Sequence, residues 1–448
     1  MTAPTTTPII DDLMRASGIP PEDECYDLAR RGLEHLLGEA LLPCALDSDP
    51  RDVLDEVCAD FDRRIGAQID EILHDSRVVA LESAWRTLHL LVDRVDHTAG
   101  VRIELLNCSR EDLEHDLQDA PTLSRSGLWS VIRRPLDVLG GQPYALVLGG
   151  YEFNASTADV VLLDRVAQVM EAARAVFLAA PGPWMFGAKK LSELPSLRDL
   201  PSLFEGPNYA RWGRFRETDH ARFVALCLPR FALRERYDIA GNLTRFGYRE
   251  DPGAERCWGS AAVVLALSVA RSFARSGWPA EFTGTRFGYL PDLPVRGIVE
   301  ARASARREIE LGEAGFVTLL PHDAGGGGVF LTATTCRARR SFGGSAEGIR
   351  EERDFAAANC LANVLLECRV AHLVAARRRD AGGLSDAGFV AELAEWLEGL
   401  TRSERSPLAR AGVVFRPKEG EGERPELVVH LQPRASFEGE AVTVSSAM

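Results

Sequence analysis

Lys189 and Lys190, in Gly187-Ala-Lys-Lys-Leu-Ser192, are the nearest this chain comes to a phosphate-gripping loop. Such a loop needs an upstream glycine and a lysine directly before serine or threonine, so that backbone N–H groups and an ammonium converge on one phosphate. Both requirements fail here. Gly149-Gly150 follows an apolar run and precedes a helical one, but Tyr151-Glu-Phe153 is too bulky for a pyrophosphate turn, and the pair reads as a tight turn. Neither a G-x-S-x-G elbow nor an H-E-x-x-H pair occurs.

The nine histidines are isolated, and the nine cysteines, Cys25 to Cys368, are odd in number and never spaced C-x-x-C. His89 and His372 read as packing or interface residues, and the thiols as small hydrophobes of a reducing compartment. Gly325 to Gly328 reads as a flexible surface loop. No catalytic, cofactor-binding or metal site is therefore expected, and the chain is read as not an enzyme.

The charge narrows the partners. With 66 acidic against 52 basic side chains, the net charge of -14 repels a phosphate backbone. Arg337, Arg339, Arg340 and Arg377 to Arg379 have acids nearby and read as solvated or subunit-facing charge. The opening residues have neither a basic nor an apolar segment of a signal peptide. The longest apolar run, Ala261 to Ala270, is half of the roughly 20 residues a membrane span needs. The expectation is a cytoplasmic protein with no nucleic acid and no membrane insertion.

Residues 1–48 read as an N-terminal arm. Thr7 and Pro8 open a short amphipathic helix that carries Ile9, Ile10, Leu13 and Met14 on one face before Gly18. About ten residues make a marginal helix, so it must dock or fold on a partner. Pro20, Pro21, Pro43 and Pro50 punctuate a connecting region. Val53, Val57, Phe61, Ile65, Ile69 and Ile72, then Val78, Leu81, Trp85, Leu88 and Val92, give two helices read as a hairpin.

Strand patterns at Val101 to Leu106, Tyr144 to Leu148 and Val176 to Ala180, with a helix from Ser156 to Met170, form a β-α-β unit and a mixed α/β fold. A strand at 223–228, a buried helix at 261–273, a strand at 329–332 and helices at 347–378 and 389–397 follow. The body spans 49–415 in two subdomains, with a flexible break near 320–328. Residues 416–448 form a C-terminal strand arm. There, Leu427 to Gln432 and Ala441 to Val444 can either pair with a neighbouring subunit or close their own sheet.

Residues 62–93, with Gln68, Ile72-Leu-His74 and Leu81-Glu-Ser-Ala-Trp-Arg-Thr-Leu88, resemble the type VI secretion contractile sheath large subunit, the TssC/VipB family. The likeness continues through Pro143-Tyr144, Gly149-Gly-Tyr-Glu-Phe153, Tyr209-Ala-Arg-Trp212 and Leu228-Pro-Arg-Phe-Ala-Leu-Arg234. It extends to Trp258-Gly-Ser-Ala-Ala262, Arg369-Val-Ala-His372, Trp396-Leu397 and Pro407-Leu408, in order over about four-fifths of the chain. Its motif core comprises Glu82, Trp85, Arg86, Leu88, Pro229, Arg230, Arg234, Trp258, Arg369 and His372.

The resemblance implies a contractile-sheath fold of mixed sheets flanked by helices, with extended arms. It implies a cytoplasmic structural protein that co-polymerises with a small sheath subunit (TssB/VipA-like) and copies of itself. The tube would surround an inner tube protein (Hcp-like), stand on a baseplate and expel its contents by contracting. Leu427, Val429, Leu431, Val442 and Val444 match the family's inter-subunit strands. Ile9, Ile10, Leu13 and Met14 match the helix gripped by a AAA+ disassembly ATPase (ClpV-like). Departures, such as Gly284-Thr-Arg-Phe-Gly288 and Thr87 after Arg86, leave a non-polymerising baseplate or adaptor paralogue as the alternative.

Overall fold

A computed structural model describes residues 7–41, 50–138, 140–238, 248–322, 325–380, 386–402, 406–416, 426–434 and 444–447. The chain divides into two compact units. One comprises residues 1–80 and 236–256, the other 81–235 and 257–448.

The first unit is helical. Helices α1 (Thr7–Ala16), α2 (Tyr26–Leu41) and α3 (Pro50–Leu73) follow one another, and α4 (Ser76–Arg94), which begins after only His74 and Asp75, belongs to the second unit from Leu81 onward. The region expected to be merely connecting thus contains the 16-residue α2, because a run of leucine, alanine, arginine and glutamate between the prolines favours helix. Residues 236–256 are fastened to α3 by polar contacts. His74 Nε2 lies 3.1 Å from the buried Glu250 carboxylate, which also accepts from the Tyr237 amide, and Tyr248 Oη donates to Asp70 at 2.6 Å.

The second unit is built on a parallel sheet of β1 (Leu146–Phe153), β2 (Val176–Pro181), β3 (Val224–Leu228) and β4 (Phe316–Thr318), in that order. β2 and β3 are buried at every residue, as parallel strands covered on both faces must be. The crossover helix α5 (Thr157–Ala173) is capped by Ser156, whose Oγ accepts from the Asp159 amide. Helix α6 (Ala261–Ser276) also packs on the sheet, and its first nine residues are all buried. Gly149-Gly150 is not a turn: the pair lies inside β1, where the register with β2 shifts between Leu148 and Glu152. A Cβ at Gly149 would come within 2.4 Å of the Phe177 ring, so this close approach requires glycine.

Val101 to Leu106, expected as a strand, forms no ladder. Val101 and Ile103 pack on the core and the Tyr144 hydroxyl donates to Glu104, but Leu105 and Leu106 are exposed and no described strand pairs with the segment. The long helix expected at 347–378 is two, α7 (Ala346–Ala358) and α8 (Leu361–Asp380). It breaks because the backbone there pairs elsewhere: the Leu361 amide donates to Ala333 O, and Thr335 Oγ1 to Asn359 O. Gly327-Gly328 belongs to a small antiparallel sheet of residues 289–290, 320–322 and 327–329.

Helix α8 is buried on two faces. Leu361, Val364, Leu365 and Cys368 join the main core, while Leu366, Val370 and Val374 join a second core with α9 (Asp386–Arg402) and a terminal antiparallel sheet. That sheet is β5 (Leu408–Arg416), β6 (Glu426–Pro433) and β7 (Val444–Ala447).

Candidate assembly surfaces

The Leu228-Pro-Arg-Phe-Ala-Leu-Arg234 segment leaves β3 through a cis Leu228–Pro229 peptide and pairs antiparallel with Trp258-Gly259. Phe231 and Leu233 are buried, and the two arginines anchor the segment at either end. Arg230 forks onto Glu300 at 2.6 and 2.8 Å and reaches Glu152 at 3.4 Å. Arg234 Nε donates to Glu82 Oε1 at 2.7 Å, and Arg86 Nε donates to the same oxygen at 2.7 Å. Burial pushes the Glu82 carboxyl up, but hydrogen bonds and charge from Arg234 and Arg86 outweigh it and hold it below the usual carboxylate value. Ser83 Oγ donates to Trp258 O at 2.6 Å. The motif words far apart in sequence thus meet around α4.

The opposite side of α4 is exposed among the described residues. At about 100° per residue, Leu81, Trp85, Leu88 and Val92 fall within an arc of roughly 60° and Leu90 lies on the far side. Leu90 is buried, whereas Leu81, Trp85 and Val92 are 60, 62 and 44% exposed. Leu88 is half-buried, and Ala80 and Ala84 beside the stripe are exposed. Trp85 therefore lies on the surface, not in the core of its own chain. Ile65 and Ile72 on α3 are exposed too.

His372 is buried and Arg369 is half-buried. Arg369 stacks on Phe273 at 5.3 Å, and burial lowers its guanidinium pKa. His372 Nε2 donates to Ala173 O at 3.0 Å, which ties α8 to the end of α5, and burial pulls its pKa down from 6.5 to about 4. Its folded value is depressed, so in the interval from about 6.5 down to 4 the unfolded chain binds a proton that the folded chain refuses. Stability is complete above that interval and falls by about 3 kcal/mol across it. Urea midpoints at pH 7 and 4.5 should converge in His372→Gln relative to the parent; parallel pH profiles would refute this.

One residue before Cys368, Glu367 is almost wholly buried and accepts from Arg222 and, at 3.4 Å, from Arg174. Both guanidiniums flank the Phe223 ring, at 5.6 and 6.0 Å. Sequence reading had no signal for this cluster. The arginines read as solvated or subunit-facing also knit the chain: Arg377 stacks on Trp396, Arg379 donates to Leu136 O and Val138 O, and Arg337 pairs with Asp219.

In the terminal sheet, Leu427, Val429 and Leu431 point into the second core. Val444 pairs with Leu431 of its own chain, and among the described residues β7 pairs with residues 428–431 of β6. Val442 lies outside the described residues. At the other end of the chain, Ile10 and Met14 of α1 are 4 and 1% exposed and pack on Tyr26, Ala29 and Leu33 of α2. Ile9 and Leu13 lie in the same helix.

No group of three or more His, Cys, Asp or Glu residues able to hold a metal occurs among the described residues. Burial pushes the Cys227 and Cys368 thiols well up and that of Cys336 to about 12, which removes their nucleophilic form. Gly187 to Ser192 joins two short 3-10 turns with Lys189 and Lys190 exposed, not a helix N-terminus facing a phosphate. No helix among the described residues is long and apolar enough to cross a membrane.

A family model for VipB, described as the EvpB/VC_A0108 tail sheath N-terminal domain, matches residues 55–337. The chain is also similar to the type VI secretion system sheath protein TssC1 of Pseudomonas aeruginosa. The two are 28% identical over 462 residues, covering 94% of this chain and 90% of the relative.

Proposed function

This chain belongs to the VipB tail sheath family, and on that premise we propose that it is the large subunit of a contractile sheath, structural in role and cytoplasmic. It co-polymerises with a small sheath subunit around an inner tube, stands on a baseplate, and shortens to drive the tube out. The observation that carries this reading is the α4 stripe, a tryptophan-centred apolar face left bare on a helix whose other side is locked by Glu82 and Ser83. Monomeric proteins cover such faces; assembly subunits bring them to a partner. The small subunit is its occupant.

Contraction requires subunits that stay tethered while their bodies slide. Residues 416–448 act as the tether, with β7 exchanged onto the sheet of a neighbouring copy. The reading draws support from the ladder of β7 on β6, which joins Val444–Ala447 to residues 428–431 among the described residues. Helix α1 is the segment that a AAA+ disassembly ATPase grips once the sheath is spent.

The test is electron microscopy of the chain co-expressed with its small subunit, at full length and ending at Gly439. Long tubules from the full-length pair, lost on truncation, are expected. Discrete particles from both would overturn polymerisation and favour a baseplate or adaptor paralogue.

A further inference from the structure

Val101 to Asn107 is an extended run with the composition of a strand, and among the described residues it carries no ladder and its amides and carbonyls enter no backbone hydrogen bond. It hangs beside β1, the outermost strand of the parallel sheet, by side chains rather than by backbone: the Tyr144 hydroxyl donates to Glu104, and the Tyr151 hydroxyl to Cys108 O. Alternation puts Val101, Ile103 and Leu105 on one face of the run. The first two pack on the core, but Leu105 is 71% exposed, and Leu106 on the other face is 52% exposed. The apolar face thus runs past the end of the core it belongs to, along a backbone whose hydrogen-bonding groups are open.

We infer that Val101 to Leu106 is an acceptor edge within the body of the chain, onto which an extended segment of the small sheath subunit adds as a strand. The inference rests on reading the chain as a sheath large subunit, which supplies the partner. Backbone chemistry sets the kind of segment, because a row of open N–H and C=O groups in extended geometry is matched by another extended chain and not by a helix. Side chains set its sequence: apolar residues opposite Leu105 and Leu106, and an acid opposite the exposed Arg102. Six residues, 95–100, join the edge to α4, whose exposed stripe ends at Val92, so the two surfaces follow one another along the chain. A second copy pairing through the same segment would make a two-fold contact that closes at a dimer, which a tube cannot extend. The chain's own β7 is laddered to β6 beside a different core.

The test uses the full chain co-purified with its small subunit. Amide hydrogen exchange is read residue by residue over 101–107, against an unstructured peptide of the same sequence. Protection of roughly tenfold or more at every second amide is expected, which is the period of a strand paired along one edge. A photo-crosslinking benzoylphenylalanine in place of Leu106 should attach to the small subunit. Leu105→Pro and Leu106→Pro each remove one amide at an exposed position, and only one of those amides faces the partner. That variant should weaken pairing roughly tenfold beyond its alanine counterpart, and the other should match its own. Unprotected amides in a pair that still forms tubules would overturn the acceptor edge and leave the sheath reading in place. Attachment of the crosslinker to a second copy would overturn the choice of partner, and a parent chain that never pairs with the small subunit would overturn both readings together.

Discussion

Trp85→Asp is expected to leave the chain folded and to abolish its co-purification with the small sheath subunit. Trp85 is 62% exposed, so its replacement costs the isolated fold within about 0.5 kcal/mol, the usual range for surface positions. A tryptophan anchor at the centre of an interface contributes about 2–4 kcal/mol, a loss of roughly thirtyfold or more in affinity, and a buried carboxylate adds a desolvation cost. Leu90→Ala on the opposite side of α4 provides the contrast, because Leu90 is buried and its truncation should lower the melting temperature. Pull-down from co-expressing cells and thermal melting of both variants separate the two effects. Undiminished pairing in Trp85→Asp would remove α4 from the interface.

Glu367→Ala should produce the largest loss of fold stability. The carboxylate is the common partner of Arg174 and Arg222, and its removal strands two guanidiniums that have already lost much of their water. Breaking a buried pair from one side costs about 3–5 kcal/mol, which corresponds to a fall in melting temperature on the order of 10 °C for a unit of this size. The same principle predicts that replacing all three with apolar residues of similar volume recovers most of the loss. Calorimetry decides: an unchanged transition in Glu367→Ala would mean that the cluster is not coupled to folding.

The local parts of this architecture were legible because their signals are local. Ser156 caps α5, the all-apolar run 176–180 marks a buried parallel strand, and Ser260 opens the buried helix α6. Misreadings occurred where distant partners decide. Val101 to Leu106 has strand composition but no strand beside it, and Asn359-Cys360 interrupts a helical pattern because residues 333–335 claim its backbone. The site followed the same division. Glu82 and Arg234 stand 152 residues apart, and no period along the chain announces their meeting. Trp85 carries the spacing of a core residue, and only the fold reveals that it stands 62% exposed among the described residues. Helix α2 and β5 escaped because prolines, glycine and arginine at their margins masked runs that tertiary packing completes.

Helix α8, buried on two faces, has a mechanical meaning. A pull on β7 passes directly to α7 and α8 and, through the four ladder positions among the described residues, to β6, and from Leu427, Val429 and Leu431 into Leu366, Val370 and Val374. From there it crosses the helix to Glu367 and His372, which hold Arg222 beside β3, and Arg174 and Ala173 at the end of α5. Those links are packed side chains, the Glu367 ion pairs and one histidine hydrogen bond, so a load that reaches α8 is shared between the two cores it joins.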